Sequence, residues 1–254
     1  RNDYSFTYSS GGFQYPFFKI GSNKVIKKVD IGGLPISTAL GSLNDSRTEE
    51  KIRLEKNSTI FLSTDGLLEQ NNGQETYYEK IDEVLKKYKF LPAPFLKDLI
   101  RKDFYNFTDG NSGKDDITFL ILDRPDGEMK KWNLNDEKND SEQIFTELLA
   151  IIKKENQKNN KAFLKLENII VANKELLLSQ KYKIKLLRNQ SILTISFENE
   201  EKDFEWNKIL NNNKDIISFK NLASVKNEDL FQKDKIYLSE NKFNNRVHLL
   251  VRKK

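Results

Sequence analysis

Apolar positions follow two rhythms along this chain. In the first half, short runs with period two, or with no polar break, predict strands at Phe6–Tyr8, Phe17–Ile20, Val25–Ile31, Ile52–Leu54, Ile60–Ser63 and Ile117–Leu122. Between the last two of these the rhythm changes to helical spacing. Tyr77–Tyr88 carries Ile81, Val84 and Leu85 on one face, and Pro94–Phe104 carries Phe95, Leu99 and Ile100, with Pro94 suited to a helix start. The second half opens with a helix over Ser141–Lys154. Ser141 is its natural cap, and Ile144, Phe145, Leu148, Leu149 and Ile152 form its apolar stripe. A second helix runs from Lys161 to Ser179. Strands follow at Tyr182–Leu187, Ile192–Phe197, Lys235–Leu238 and Arg246–Val251. The fold class is α/β (α+β), with mainly antiparallel sheets.

Backbone punctuation divides these elements into two units. All 11 glycines lie between Gly11 and Gly127, and all five prolines between Pro16 and Pro125. Residues 128–254 contain neither, so the two halves are built differently. Arg124-Pro125-Asp126-Gly127 reads as the turn that closes a first unit, 1–127. Residues 128–140, which include the polar stretch from Asn133, read as a linker, and 141–254 as a second domain. Between the predicted strand ends the chain starts abruptly, at Arg1 just ahead of Tyr4-Ser5-Phe6-Thr7-Tyr8, which suggests a fragment of a longer protein.

Composition narrows the chemistry. Cysteine is absent, which excludes disulfides, thiolate metal sites and a cysteine nucleophile, and fits a reducing, cytoplasmic setting. No apolar run approaches the ~20 residues that span a bilayer. The net charge of +5 and pI of about 9 could suit nucleic acid. Lysines and acids alternate throughout, however, and no aromatic-plus-basic motif accompanies them, so no nucleic-acid partner is expected. His248 sits on an alternating strand between Val247 and Leu249 and reads as a structural residue. Trp132 and Trp206 read as packing anchors.

Two acidic motifs carry the functional argument. Thr59-Ile60-Phe61-Leu62-Ser63-Thr64-Asp65-Gly66 is a strand-like run that ends in a carboxylate. Asp115-Asp116-Ile117-Thr118 opens the strand-like run that continues through Leu122. If the two strands are antiparallel neighbours, the end of one lies beside the start of the other, and the carboxylates meet at one sheet edge. Converging carboxylates repel unless a cation lies between them, and hard oxygen donors suit Mg²⁺ or Mn²⁺. Thr108-Asp109-Gly110 has a similar look and is read as a turn only.

The pattern resembles the C-terminal half of the SpoIIE/RsbU-type phosphatases, a branch of the metal-dependent PPM (type 2C) protein phosphatases. The resemblance rests on Leu62–Glu69, on Asp115-Asp116-Ile117-Thr118, on Gly33-Leu34-Pro35 with Leu40-Gly41, and on Tyr8–Gly12, where the family usually has Asn-Ala-Gly-His. It covers about Tyr4 to Arg124. It implies part of an αββα sandwich. It also implies that Asp65 and Asp115 are metal ligands and catalytic, that Asp116 is a neighbouring acid or alternate ligand, and that the Gly66 backbone contributes a carbonyl or a close approach. The implied reaction is hydrolysis of phosphoserine or phosphothreonine at a site of two Mn²⁺ or Mg²⁺ ions, with no protein nucleophile. The family's upstream Gly-Asp segment has no match here, and Gly12 stands at the usual histidine. Truncation and loss of catalysis both account for that.

The second half is similar to RsbW-like anti-sigma kinases of the GHKL class. The similarity lies in Ile192–Trp206 and in the hairpin Ile236-Tyr237-Leu238 … Asn244–Val251. Asn199 stands where that class reads adenine, and Glu201 and Asp203 stand at its loop glycines. Acidic side chains there repel phosphates, so no nucleotide is expected. The expectation is a degenerate kinase-like domain, or an unrelated small two-layer α/β domain, that makes protein contacts. The implied partner is a phosphorylated anti-anti-sigma (STAS-like) protein in bacterial partner switching, at the cytoplasmic end of a sensor and as a possible homodimer. A pseudophosphatase–pseudokinase scaffold is the alternative.

Overall fold

The computed structural model describes residues 4–9, 15–23, 25–30, 49–89, 91–110, 115–134, 136, 140–156, 160–179, 182–189, 192–198, 216–218, 235–241 and 246–253. The chain forms two compact units, Arg1–Asp126 and Gly127–Lys254. Gly12, Gly33-Leu34-Pro35, Leu40-Gly41 and Asn199–Trp206 lie outside the described residues.

In the first unit, β2 (Phe17–Ile20), β3 (Ile26–Val29), β5 (Ser58–Ser63) and β6 (Phe119–Arg124) make an antiparallel sheet in the order β3-β2-β5-β6. β1 (Ser5–Tyr8) and β4 (Glu50–Arg53) form a separate antiparallel ribbon. Phe18 is opposite Phe61 in the register, and both side chains are fully buried on one face of the sheet. That face carries α2 (Tyr77–Tyr88) and α3 (Ala93–Phe107). Tyr78 packs on Phe18 at 6.1 Å, and the Asp123 carboxylate accepts from the Ala93 amide at 3.0 Å. Adjacent strand residues point to opposite faces, so Phe17 faces away from the helices. It meets Tyr8 of the ribbon edge-on at 5.4 Å. Helix, sheet and ribbon are therefore three successive layers, a partial αββα sandwich. The charged edge strand β3 discourages further pairing, and Lys28 lies 4.2 Å from the Tyr78 ring centre.

The periodicity of Tyr77–Tyr88 survives without change. Its start is fixed by a capping box in which the Glu79 carboxylate accepts from the Thr76 amide at 2.8 Å. Thr108-Asp109-Gly110 closes α3. Asp109 and Gly110 both have positive φ, and the Gly110 amide donates to the Tyr105 carbonyl.

The second unit is built on a six-stranded sheet of β7 (Glu128–Asn133), β8 (Lys183–Arg188), β9 (Ile192–Glu198), β10 (Ile216–Ser218), β11 (Ile236–Asn241) and β12 (Arg246–Arg252). The order is β10-β11-β12-β9-β8-β7, and β10–β11 is its one parallel pair among the described residues. α4 (Ser141–Asn156), α5 (Lys161–Ala172) and α6 (Lys174–Ser179) cover one face. Phe145, Leu148, Ile152, Phe163, Leu166 and Ile170 meet Ile184, Ile195, Phe197 and Leu249 there.

Three expectations change here. Residues 128–133 are not linker but β7, whose Lys130 and Trp132 both hydrogen-bond to Glu147 of α4, the indole at 2.9 Å. The cap of α4 is Asp140 and not Ser141, since Asp140 Oδ1 accepts from the amides of Glu142 at 2.9 Å and Gln143 at 3.2 Å. The single helix Lys161–Ser179 is two. The Asn173 side chain donates to the Ile169 carbonyl at 2.7 Å, competes with the helical ladder and ends α5. His248 is buried on β12, where its Nδ1 lies 2.7 Å from Ser196 Oγ across the β9–β12 pair.

The end of β12 is joined to α4 and β8 by a charged node. Glu155, buried at the end of α4, pairs with Lys253 at 3.0 Å and with Arg188 at 3.6 Å. Arg188 also pairs with Glu128. Among the described residues, no helix is long and apolar enough to cross a membrane.

Candidate functional site

The β5–β6 pairing places the two acidic motifs at one end of the sheet. Ser63, the last residue of β5, is opposite Phe119, the first of β6. The ladder extends one step further through the threonines. The Thr64 amide donates to the Thr118 carbonyl at 2.9 Å, and the Thr118 amide donates to Thr64 Oγ1 at 3.1 Å. Thr64 Oγ1 also lies 3.3 Å from the Asp116 carbonyl. Beyond this clamp β5 turns directly into α1 (Asp65–Leu68), a single helical turn with Asp65 at its start.

Gly66 decides how closely the motifs approach. It is buried, and a Cβ added to it would lie 2.3 Å from the Asp116 carbonyl oxygen and 3.4 Å from the Asp115 carbonyl carbon. Only a residue without Cβ lets the Asp65-Gly66 turn rest on the Asp115-Asp116 backbone. The acid-bearing segments expected at one sheet edge do meet there. The side chains of Asp65, Asp115 and Asp116 are all solvent-exposed. One oxygen of Asp65 accepts from the Gly66 amide at 2.9 Å, and one oxygen of Asp115 accepts from the Asp116 amide at 2.7 Å. Each carboxylate is thus oriented by the next residue's N–H while remaining open to solvent. The Gly66 carbonyl accepts from Gln70 Nε2 at 2.9 Å.

The donors suit a hard divalent cation, because carboxylates and backbone carbonyls are its preferred ligands. They supply part of a coordination shell. Among the described residues there is no group of three or more His, Cys, Asp or Glu side chains arranged to hold a metal.

Two further residues lie at this end, and neither was assigned a role from the sequence. Glu69, four residues after Asp65, accepts a hydrogen bond from the Tyr15 hydroxyl at 3.2 Å. Burial pushes the Tyr15 phenol above its usual range, and the Glu69 hydrogen bond and the charges of Glu69 and Asp65 push it further. Glu69 closes the Leu62–Glu69 segment, so its place in the sequence is a signal that could have found it. Tyr15 carried no signal, because its partner is 54 residues away.

Comparison with known proteins adds three findings. Residues 1–125 match the family model SpoIIE, Stage II sporulation protein E. No curated protein matches the chain. Among solved structures, the chain is similar to the RsbU and RsbW domains of Rv1364c from Mycobacterium tuberculosis. That match has 13% identity and a TM-score of 0.41, and covers 99% of this chain and 65% of that one. It is also similar to the SiaA-PP2C domain of Pseudomonas aeruginosa, with 17% identity and a TM-score of 0.40, over 48% of each chain. The chain therefore spans less than two thirds of the length of either structure.

Proposed function

We propose that the first unit, whose residues 1–125 match the SpoIIE family model, acts in metal-dependent hydrolysis of phosphoserine or phosphothreonine on a bacterial signalling protein. The observation that supports this most is the seating of Gly66 on the Asp116 backbone, which brings the Asp65 and Asp115 segments to one sheet end. Asp65 and Asp115 would hold Mn²⁺ or Mg²⁺, with Asp116 beside them and the Gly66 backbone in close approach. When bound, such ions neutralise charge on phosphoryl oxygens and lower the pKa of a coordinated water. The chain's own contribution is orientation. The Gly66 and Asp116 amides hold one oxygen of each carboxylate, and the Thr64–Thr118 clamp fixes their spacing.

In this reading the substrate is a phosphorylated STAS-like anti-anti-sigma protein, and the second unit serves as a protein-contact domain without a nucleotide. The absence of glycine from residues 128–254 supports the last point, since close backbone approach to phosphates needs glycine. ATP binding to this chain at micromolar concentration would contradict it.

A second reading is a scaffold that binds its partner without chemistry, since among the described residues Asp65, Asp115 and Asp116 are not arranged as a group of three that could hold a metal. The deciding experiment is Mn²⁺ binding followed by electron paramagnetic resonance, run beside Mn²⁺-dependent hydrolysis of p-nitrophenyl phosphate. Asp65→Asn and Asp115→Asn are each expected to abolish both. Mn²⁺ binding that depends on both carboxylates, with no turnover by the chain or by its complex with a partner, selects the scaffold. Unchanged Mn²⁺ binding in both variants rejects the metal centre.

A further inference from the structure

We propose that the Tyr15–Glu69 hydrogen bond is a positioning link of the acidic site, anchoring the far end of α1 and so fixing the carboxylate of Asp65 against the second motif. The inference rests on the metal-centre reading above. α1 is four residues long, and one helical turn has no cooperative stability of its own. The direction of Asp65 is therefore set by whatever holds the two ends of that turn.

The near end is held by Thr64 and Thr118 and by the contact of Gly66 with Asp116. Leu67 and Leu68 are buried and hold the middle. The far end is held through Glu69, whose amide donates to the Asp65 carbonyl at 2.8 Å while its carboxylate accepts from the Tyr15 hydroxyl. Glu69 thus joins the Asp65 backbone on one side and a distant part of the chain on the other.

Tyr15 is suited to be that fixed point. Its ring packs on Tyr78 of α2 at 5.2 Å, and Tyr78 packs in turn on the fully buried Phe18 of β2. The ring is therefore referenced to the helix layer and the central sheet, while its hydroxyl reaches Glu69 at the exposed surface. Its resistance to ionisation keeps the phenol a donor to Glu69 through neutral pH. The same phenol feels the charge of Asp65, so the link lies in the electrostatic neighbourhood of the site.

Tyr15→Phe separates positioning from folding, because the ring stays on Tyr78 and only the hydroxyl is lost. Mn²⁺ affinity of the full chain is expected to fall about tenfold, the lower range seen when a ligand's supporting group is removed, with the melting temperature unchanged. Glu69→Ala should match that loss. Glu69→Gln, which keeps an acceptor for the phenol, should restore most of it. The double variant Tyr15→Phe/Glu69→Ala should be no worse than either single one, as expected for two halves of one link. Wild-type affinity in Tyr15→Phe beside a large loss in Asp65→Asn overturns the link and leaves the site standing. Additive losses in the double variant also overturn it. Wild-type affinity in Asp65→Asn rejects the site, and the link with it.

Discussion

Replacing Gly66 with alanine tests the geometry of the site with the smallest possible change. The residue lies in helix α1 and not in the left-handed region, so alanine fits the backbone conformation and any penalty is steric. The added Cβ would meet the Asp116 carbonyl oxygen at 2.3 Å, about 1 Å inside ordinary contact. The obstacle is backbone, and it cannot swing aside as a side chain tip could. Moving it strains the Thr64–Thr118 hydrogen bonds at 2.9 and 3.1 Å. Overpacking of this kind costs about 1–3 kcal/mol, while alanine regains about 0.5–1 kcal/mol over glycine within a helix. The net expectation is a loss of about 1–2 kcal/mol, which lowers the melting temperature of a unit this size by about 5–10 °C. Mn²⁺ affinity should fall with it, because the two acidic segments are pushed apart. Scanning calorimetry and Mn²⁺ titration of the same sample read both effects. Gly73→Ala is the control. Its φ is +92° and nothing lies within 4 Å of an added Cβ, so it should cost stability by conformation alone and leave Mn²⁺ binding intact. A Gly66→Ala protein with wild-type melting and wild-type Mn²⁺ affinity would refute the close approach and the site built on it.

The remaining predictions concern buried charge. Glu155→Ala removes the buried carboxylate shared by Lys253 and Arg188, and should destabilise the second unit by about 1–3 kcal/mol in urea unfolding. Leu134→Ala, at the margin of the same core, provides an apolar comparison and should cost about 2–3 kcal/mol. Asp103, between α2 and α3, has its acid form favoured chiefly by burial, opposed by the Tyr77 hydrogen bond and by nearby lysines. A raised pKa in the folded state gives stability that is fully present below the unfolded value of 3.8 and lost as pH rises through the folded value. Asp103→Asn should therefore remove that loss, so that the stability of the variant relative to wild type increases as pH rises from 3.8 through the folded value. A curve that keeps its wild-type slope would show that Asp103 is not the group responsible.

Much of the fold was legible because it is local. α2 was placed to the residue from its apolar spacing, which acts within a few positions, and the structure adds the equally local Thr76–Glu79 box. β5 and β6 were legible as apolar runs, and their antiparallel pairing carried the acids to one edge. What escaped was set by distant partners. Glu-Met-Lys-Lys-Trp-Asn reads as polar, yet it forms β7 because β8 pairs along its length and Glu147 takes both the lysine and the indole. α5 ends at Asn173 because that amide bonds back onto its own helix, a choice the apolar pattern does not record. Tyr15 became visible only once folding had set it beside Glu69.

The position of β7 has a practical consequence for taking the protein apart. A cut in the glycine-free stretch before Ser141 looks harmless in the sequence, but it removes the last strand of the six-stranded sheet. β8 would become a bare edge, Arg188 would lose Glu128, and Glu147 would lose both of its hydrogen-bond donors. Such a fragment carries a template for strand-to-strand aggregation. One that begins at Gly127 keeps the edge closed, and keeps the glycine whose φ of +140° lets the chain pass the Arg188 carbonyl. The first soluble half-molecule should therefore be the one that starts at the turn, at Gly127, well ahead of the first helix of that unit at Ser141.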